Sequence, residues 1–289
     1  MADVHHFTYG AFNPIAAYLL AFLGSFFGLL SAARARDARN RSRRNRWLLI
    51  AAFAIGGGAI WLMHFAAMLG FDVPESPVRY DLLLTVASLV FSVTAVGAGL
   101  LIVGNGRRSV PRMVAAGSVT GGGVLAMHFT GMLGVYVAGQ IRYNLALVLA
   151  SAIIAVVAAT AALWFTVSVR GWARIFGAAA IMAIAVCAMH YIGMAALTVH
   201  LDPVPGVVHG IRPLTMIVPI TIITAATIVG VALCALQAMT DEEFTDGAGT
   251  PKRGIHAEST NPWSLKQASA LADRRPSPQP VPARSPSGG

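Results

Sequence analysis

The sequence predicts an all-α membrane protein with seven transmembrane helices: three pseudo-repeated helical hairpins plus a seventh helix. Three observations predict it. The chain is 56% hydrophobic and only 11% charged, with a mean hydropathy of +0.67, whereas an ordinary soluble domain carries about 25% charged residues. Apolar runs of about 20 residues or more recur along it, the length that crosses a bilayer as helix. A short motif appears three times, its histidines 64 and 62 residues apart: Met63-His64-Phe65-Ala66-Ala67-Met68, Met127-His128-Phe129-Thr130-Gly131-Met132 and Met189-His190-Tyr191-Ile192-Gly193-Met194.

In chain order, residues 1–10 form a short polar and aromatic extracytoplasmic lead with His5 and His6. The first span is expected over Ala11–Ala33 and the second over Trp47–Leu69, separated by a loop with seven arginines from Arg34 to Arg46. The third span is Leu82–Val103 and the fourth Met113–Val137, with Arg107, Arg108 and Arg112 between them. A brief turn containing Gln140 and Arg142 leads to a fifth span over Asn144–Val169, and Arg170 and Arg174 bracket the turn into a sixth over Ala173–Val199. The six-helix unit thus occupies 11–205. An outer loop and a seventh helix over Leu214–Met239 make up 206–239, with Pro219 in its first turns. Residues 240–289, rich in Pro, Ser, Gly and Arg, have no apolar period and read as a disordered cytoplasmic tail.

The arginines orient the chain. Loops after the odd spans hold twelve, and loops after the even spans hold three, Arg79, Arg142 and Arg212. Positive loops stay cytoplasmic, so the N-terminus is expected outside and the C-terminus inside. The net charge of +9 serves this orientation and does not call for nucleic acid. The first apolar run has no basic segment before it, so it reads as a retained span rather than a cleaved leader. Cys187 and Cys234 lie in separate apolar runs and form no disulfide framework.

Each repeat unit is a descending helix, a basic turn and an ascending helix that carries the motif. Gly57 and Gly121 stand seven residues before their histidine, and Ala183 does so in the third copy; small residues there favour close helix contact. The basic anchors Arg46, Arg112 and Arg174 precede their histidines by 18, 16 and 16 residues. At 1.5 Å per residue each histidine lies roughly 24–27 Å from the cytoplasmic edge, in a hydrocarbon core about 30 Å thick. All three then sit near the outer face at one depth, and they converge if the hairpins pack as a bundle.

Residues four apart share a helix face, which pairs His64 with Met68, His128 with Met132 and His190 with Met194. Met63, Met127 and Met189 flank that face. Imidazoles suit Cu, Zn, Fe and Ni, and thioethers favour soft Cu(I), so the expected metal ligands are His64, His128, His190, Met63, Met127, Met189, Met68, Met132 and Met194, with copper the expected ion. Cys187, one turn before His190, is an additional candidate thiolate. A single histidine in a membrane helix is as easily explained by a bond to a neighbouring backbone. Three copies at matched depth favour a shared site. His5, His6, His200 and His209 fall on the same side and are candidates for a metal access path, although solvated loop residues are the plainer reading. Tyr191 is a candidate hydrogen-bond donor to a ligand.

At these residues the chain resembles the MHYT-domain family of bacterial integral membrane sensors, named for a repeated Met-His-Tyr-Thr motif. The likeness covers about residues 10–205. Met63 and His64, Met127 and His128, and Met189 and His190 match the motif, whereas its Tyr is present only as Tyr191 and its Thr only as Thr130. The resemblance implies a sensor in the bacterial inner membrane that binds a metal, copper foremost, and through it a diatomic gas such as O2, CO or NO, with Tyr191 and Thr130 as cofactor-site residues. Many relatives carry cytoplasmic domains that make or degrade cyclic dinucleotides. The tail here is too short and polar for one, so output is expected through a separate cytoplasmic signalling partner, and the chain is not expected to be an enzyme.

Other classes fit less well. A metal-handling or transport protein is the principal alternative, although the spans hold no Asp, Glu, Lys or Arg away from their ends, which disfavours proton-coupled transport. Haem held by two of the histidines is a further alternative. A retinal photoreceptor needs a lysine in its last helix, and the lysines are Lys252 and Lys266 in the tail. No acid–base–nucleophile set suggests a hydrolase.

Overall fold

The computed structural model describes residues 2–213, apart from 107, 108, 204 and 205, together with positions 215, 218, 221, 222, 225 and 229. Most of the expected seventh span, Cys234 and the whole 240–289 tail lie outside the described residues.

Among the described residues six long helices form three hairpins: α1 (Phe12–Asp37) with α2 (Arg41–Met68), α3 (Leu82–Gly104) with α4 (Val110–Leu133), and α5 (Leu145–Ser168) with α6 (Trp172–Ala195). All but α4 are long and apolar enough to cross a membrane. α4 has 24 residues but includes the glycine-rich stretch Gly121-Gly122-Gly123, which lowers its hydropathy. Local chemistry sets the helix starts. Side chains of Asn40, Asp81 and Asn144 accept from the backbone N–H groups of Arg43, Leu84 and Ala146, satisfying donors that the first turn leaves open. Gly171, at φ +83°, makes the tight turn between α5 and α6.

The helices close into a ring. Each packs on the next in chain order, and α6 returns to pack on α1. Small residues set the spacing, as they do where membrane helices approach closely. A Cβ on Gly121 of α4 would fall 2.6 Å from Val156 Cα of α5. Ala183 of α6 is buried with Ala17 and Ala21 of α1. The α2–α3 contact uses Gly56, where a Cβ would lie 2.9 Å from Val93 Cα, while one on Gly57 would meet only side chains at 3.9 Å. The expected role of Gly57 therefore belongs to its neighbour, and the reason is a π-helical stretch, Phe53–Leu62, inside α2. Its wider turns close i to i+5 and take up one extra residue between glycine and histidine. Ser92 Oγ donates to Gly56 O at 2.7 Å, and Trp61 Nε1 donates to Ser88 Oγ at 3.0 Å, holding this stretch against α3.

At the arginine end, the Arg36 guanidinium donates to the carbonyls of Thr166 and Val169, tying α1 to the end of α5. At the motif end the expectation of an all-helical chain omits four short strands found among the described residues. β1 (Arg79–Tyr80) pairs antiparallel with β2 (Val135–Tyr136), and β3 (Gly139–Tyr143) pairs antiparallel with β4 (Leu197–Leu201). Val135–Val137 and Leu197–Val199, read as the ends of spans, belong to or adjoin these strands, because the helices stop at Leu133 and Ala195.

Candidate functional site

The three motif histidines meet on the axis of the ring. His64, His128 and His190 are 1%, 0% and 1% exposed. The Nδ1 atom of His64 lies 3.0 Å from that of His190 and 3.2 Å from that of His128. The rings stand nearly perpendicular to one another, 81–84° apart, with centroids 4.9–5.3 Å apart. Each also meets the aromatic residue that follows it edge-on, Phe65, Phe129 or Tyr191. The π-helical stretch makes this level possible. It takes up one of the two residues by which the 18-residue spacing from Arg46 exceeds the 16 of the other repeats.

This geometry fits a metal. Two imidazoles on one tetrahedral ion at 2.0–2.1 Å would hold their nitrogens about 3.3 Å apart, close to the spacing observed. An imidazole Nδ1 has one in-plane proton or one lone pair. That of His64 therefore cannot make full hydrogen bonds to both neighbours at once, whereas a cation at the convergence would use all three lone pairs. Among the described residues, the group of histidine, cysteine and carboxylate side chains close enough to share an ion is His64, His128 and His190. Cys187 is partly buried and does not belong to it.

The outer nitrogens have a different setting. Nε2 of His64 and of His128 are buried without a hydrogen-bond partner. Each faces a glycine of the following hairpin, Gly131 or Gly193. These glycines occupy the small position of the motif, three residues after each histidine, and their role as seats for the rings was not anticipated. The repetition of a small residue there was the available signal.

The six methionines of the motifs are all buried. Met68, Met127, Met132, Met189 and Met194 belong to the main core. Met63 packs apart, with Ala17, Ala21 and Ala183. Thr130 is half-buried two residues beyond His128, about 200° around the helix from it. Tyr191 packs on Phe7 at 5.6 Å, and its hydroxyl is buried without a partner. Of the access-path candidates, His5 is exposed and pairs with Asp3 at 3.2 Å, and His200 lies on β4 opposite Gln140. His6 packs on Phe71, with ring centroids 5.9 Å apart. His209 is exposed in the segment after β4.

Directly below the histidines is an apolar cavity of about 50 Å³. Ile60, Val124 and Val186, each one turn before a histidine, line it together with Met189. Leu100 lines this cavity and also a second, of about 210 Å³, at the arginine end, where Arg36, Arg44 and Arg170 contribute.

Comparison with known proteins gives a family. The family described as the MHYT bacterial signalling protein N-terminal repeat matches residues 57–116, 121–179 and 184–245. The bifunctional diguanylate cyclase/cyclic di-GMP phosphodiesterase MucR of Pseudomonas aeruginosa is 36% identical over 77% of this chain and 34% of its own length. The cyclic di-GMP phosphodiesterase NbdA of the same organism is 33% identical over 66% of this chain and 24% of its own length. The signalling protein YkoW of Bacillus subtilis is 29% identical over 69% of this chain and 25% of its own length. The chain thus spans about a third or less of the length of these relatives. No solved structure matches it.

Proposed function

Because the chain belongs to the MHYT family of bacterial signalling-protein repeats, a multi-pass membrane signalling domain, we propose that it senses through a metal held by His64, His128 and His190. The observation that carries this reading is the approach of His64 Nδ1 to the other two Nδ1 atoms at 3.0 and 3.2 Å in a site shut off from water. We propose copper as the ion, since the set of imidazoles with nearby thioethers and no carboxylate suits Cu(I). Bound there, copper would supply a soft centre able to take a diatomic gas.

The chain's own residues do the rest. The perpendicular rings, each braced by its following aromatic, fix three nitrogens on one point. The motif methionines supply buried thioethers on the same helices. The apolar cavity beneath the rings, about 50 Å³, has room for a diatomic molecule and none for a haem macrocycle, which favours copper over haem. Its walls come from all three hairpins, so a change at the histidines bears on the packing of the whole ring.

For orientation, the arginine loops support an N-terminus outside, a cytoplasmic C-terminus and α4 as a further span, with Leu214–Met239 as the seventh. Output passes to a separate cytoplasmic partner, and the role of the chain is non-catalytic. The names of MucR and NbdA support a link to cyclic di-GMP signalling. Elemental analysis of the purified protein and of a His64→Ala/His128→Ala/His190→Ala variant tests the metal site. Copper near one per chain in the first and none in the second is expected. Equal copper in both would defeat the reading.

A further inference from the structure

The histidine site is roofed. Residues 2–8 run as a strap across the motif end of the ring, tied at three points. The Ala2 N–H donates to Val199 O on β4 at 3.0 Å. His5 and Asp72 exchange backbone bonds at 2.9 and 2.8 Å. The N–H and Oγ1 of Thr8 both donate to Gly70 O, at 3.1 and 2.9 Å. Between the ties, the ring of Phe7 rests on Tyr191 and that of His6 on Phe71.

His6 is the polar side chain of this roof that the site reading leaves unused. Its Nδ1 is sealed from solvent and has no hydrogen-bond partner. A buried polar atom without a partner is destabilising and calls for an explanation. The ring lies outside the three-histidine group, but its chain neighbour Phe7 rests on Tyr191, whose ring in turn meets that of His190 at 5.0 Å. The three site rings are at most 1% exposed, so an ion reaches them only when a covering element moves.

We propose that His6 is the uptake ligand of the site: it receives a soft metal cation at the outer mouth and hands it to His190, while the strap anchored by Phe7 is the barrier the cation passes. This rests on the metal reading above. A cation stripped of water needs a donor at each step inward, and an imidazole nitrogen already beneath the strap supplies one. The ties at Val199, Asp72 and Gly70 are backbone bonds at the edge of the fold, so the strap can lift without disturbing the helices. Metal identity and stoichiometry then belong to the three core histidines, and the rate of loading belongs to His6 and Phe7.

The test uses the full chain in lipid nanodiscs, with Cu(I) supplied from a coloured soluble chelator whose absorbance reports transfer. His6→Ala is expected to slow transfer by at least about tenfold, a barrier change of roughly 1.4 kcal/mol, and to leave the final copper per chain at the wild-type value. Phe7→Ala is expected to speed transfer. His64→Ala is expected to abolish the final occupancy. Wild-type transfer rates in His6→Ala would overturn the proposal and leave the metal reading standing. So would a loss of final copper in His6→Ala as complete as in His64→Ala, since His6 would then be a core ligand. Unchanged or slower transfer in Phe7→Ala would overturn the barrier role of the strap. No transfer to the wild type would defeat the metal reading and this proposal with it.

Discussion

Gly131 lies directly against the imidazole of His64: a Cβ at position 131 would fall 2.7 Å from His64 Nε2. Gly193 repeats the relation with His128 at 2.5 Å. The second and third hairpins thus each seat the histidine of the hairpin before them.

Gly131→Ala and Gly193→Ala are accordingly expected to push a ring off the axis and weaken metal affinity by about 10–100-fold, the range seen when the support of a ligand histidine is lost. Competition titration reads this. Gly122→Ala is the control, because a Cβ there meets nothing within 4 Å. It should leave affinity unchanged and raise stability by up to about 1 kcal/mol. Equal affinity losses in all three variants would mean that the glycines act only on the fold.

The π-helical stretch makes a deletion informative. In α2 Gly56 stands eight residues before His64, whereas Gly121 stands seven before His128. Deletion of Gly57 should let α2 close as ordinary α-helix, keeping both the Gly56 contact with α3 and the position of His64. Deletion of Gly122 in α4 has no surplus to remove and should turn one side of that helix by about 100°. Metal analysis is expected to show copper retained in the first variant and lost in the second.

Arg36 holds α1 to the carbonyl end of α5. Hydrogen bonds to a charged group contribute about 1.5–3 kcal/mol each, discounted here because the side chain is partly exposed. Arg36→Gln is expected to lower the unfolding midpoint in detergent while leaving metal content unchanged. A drop in metal content with the midpoint unmoved would count against a purely structural role.

Tyr80 offers a pH dependence. Its hydroxyl donates to Met68 O at 3.0 Å, and burial holds the phenol above its ordinary value of 10. A raised folded-state value means that the folded protein favours the protonated phenol. The contribution is therefore complete below pH about 10 and is lost as pH rises beyond it. Tyr80→Phe should flatten the alkaline limb of the stability profile. An unchanged alkaline limb would show that another group governs it.

Much of this site was legible because its elements repeat. Three motifs, basic anchors at near-equal spacing and arginine-rich turns place His64, His128 and His190 at one level, and the helix boundaries follow to within about four residues, except that α2 begins at Arg41, six residues before the expected Trp47 and inside the arginine-rich segment. The strands were missed because Val135 and Leu197 continue apolar runs past the end of their helices, so composition alone does not mark where α4 and α6 stop. The offset at Gly57 had a trace in the 18-residue spacing of the first repeat against 16 in the others. That surplus has the same size whether it lies in a loop or within the helix, and the sequence does not distinguish them. The strap left no trace, since backbone bonds such as those of His5 with Asp72 require no particular side chain.

The bond between Ala2 and Val199 puts the two ends of the six-helix unit side by side. In terms of connectivity the unit is then a loop cut at one of three near-equivalent places. A circular permutant that begins at α3 or at α5, with a short linker from the end of β4 to residue 2, would keep every helix beside its present neighbours. The order of the hairpins along the gene is thus incidental to the three-histidine cluster, and the closed circuit of helices defines it.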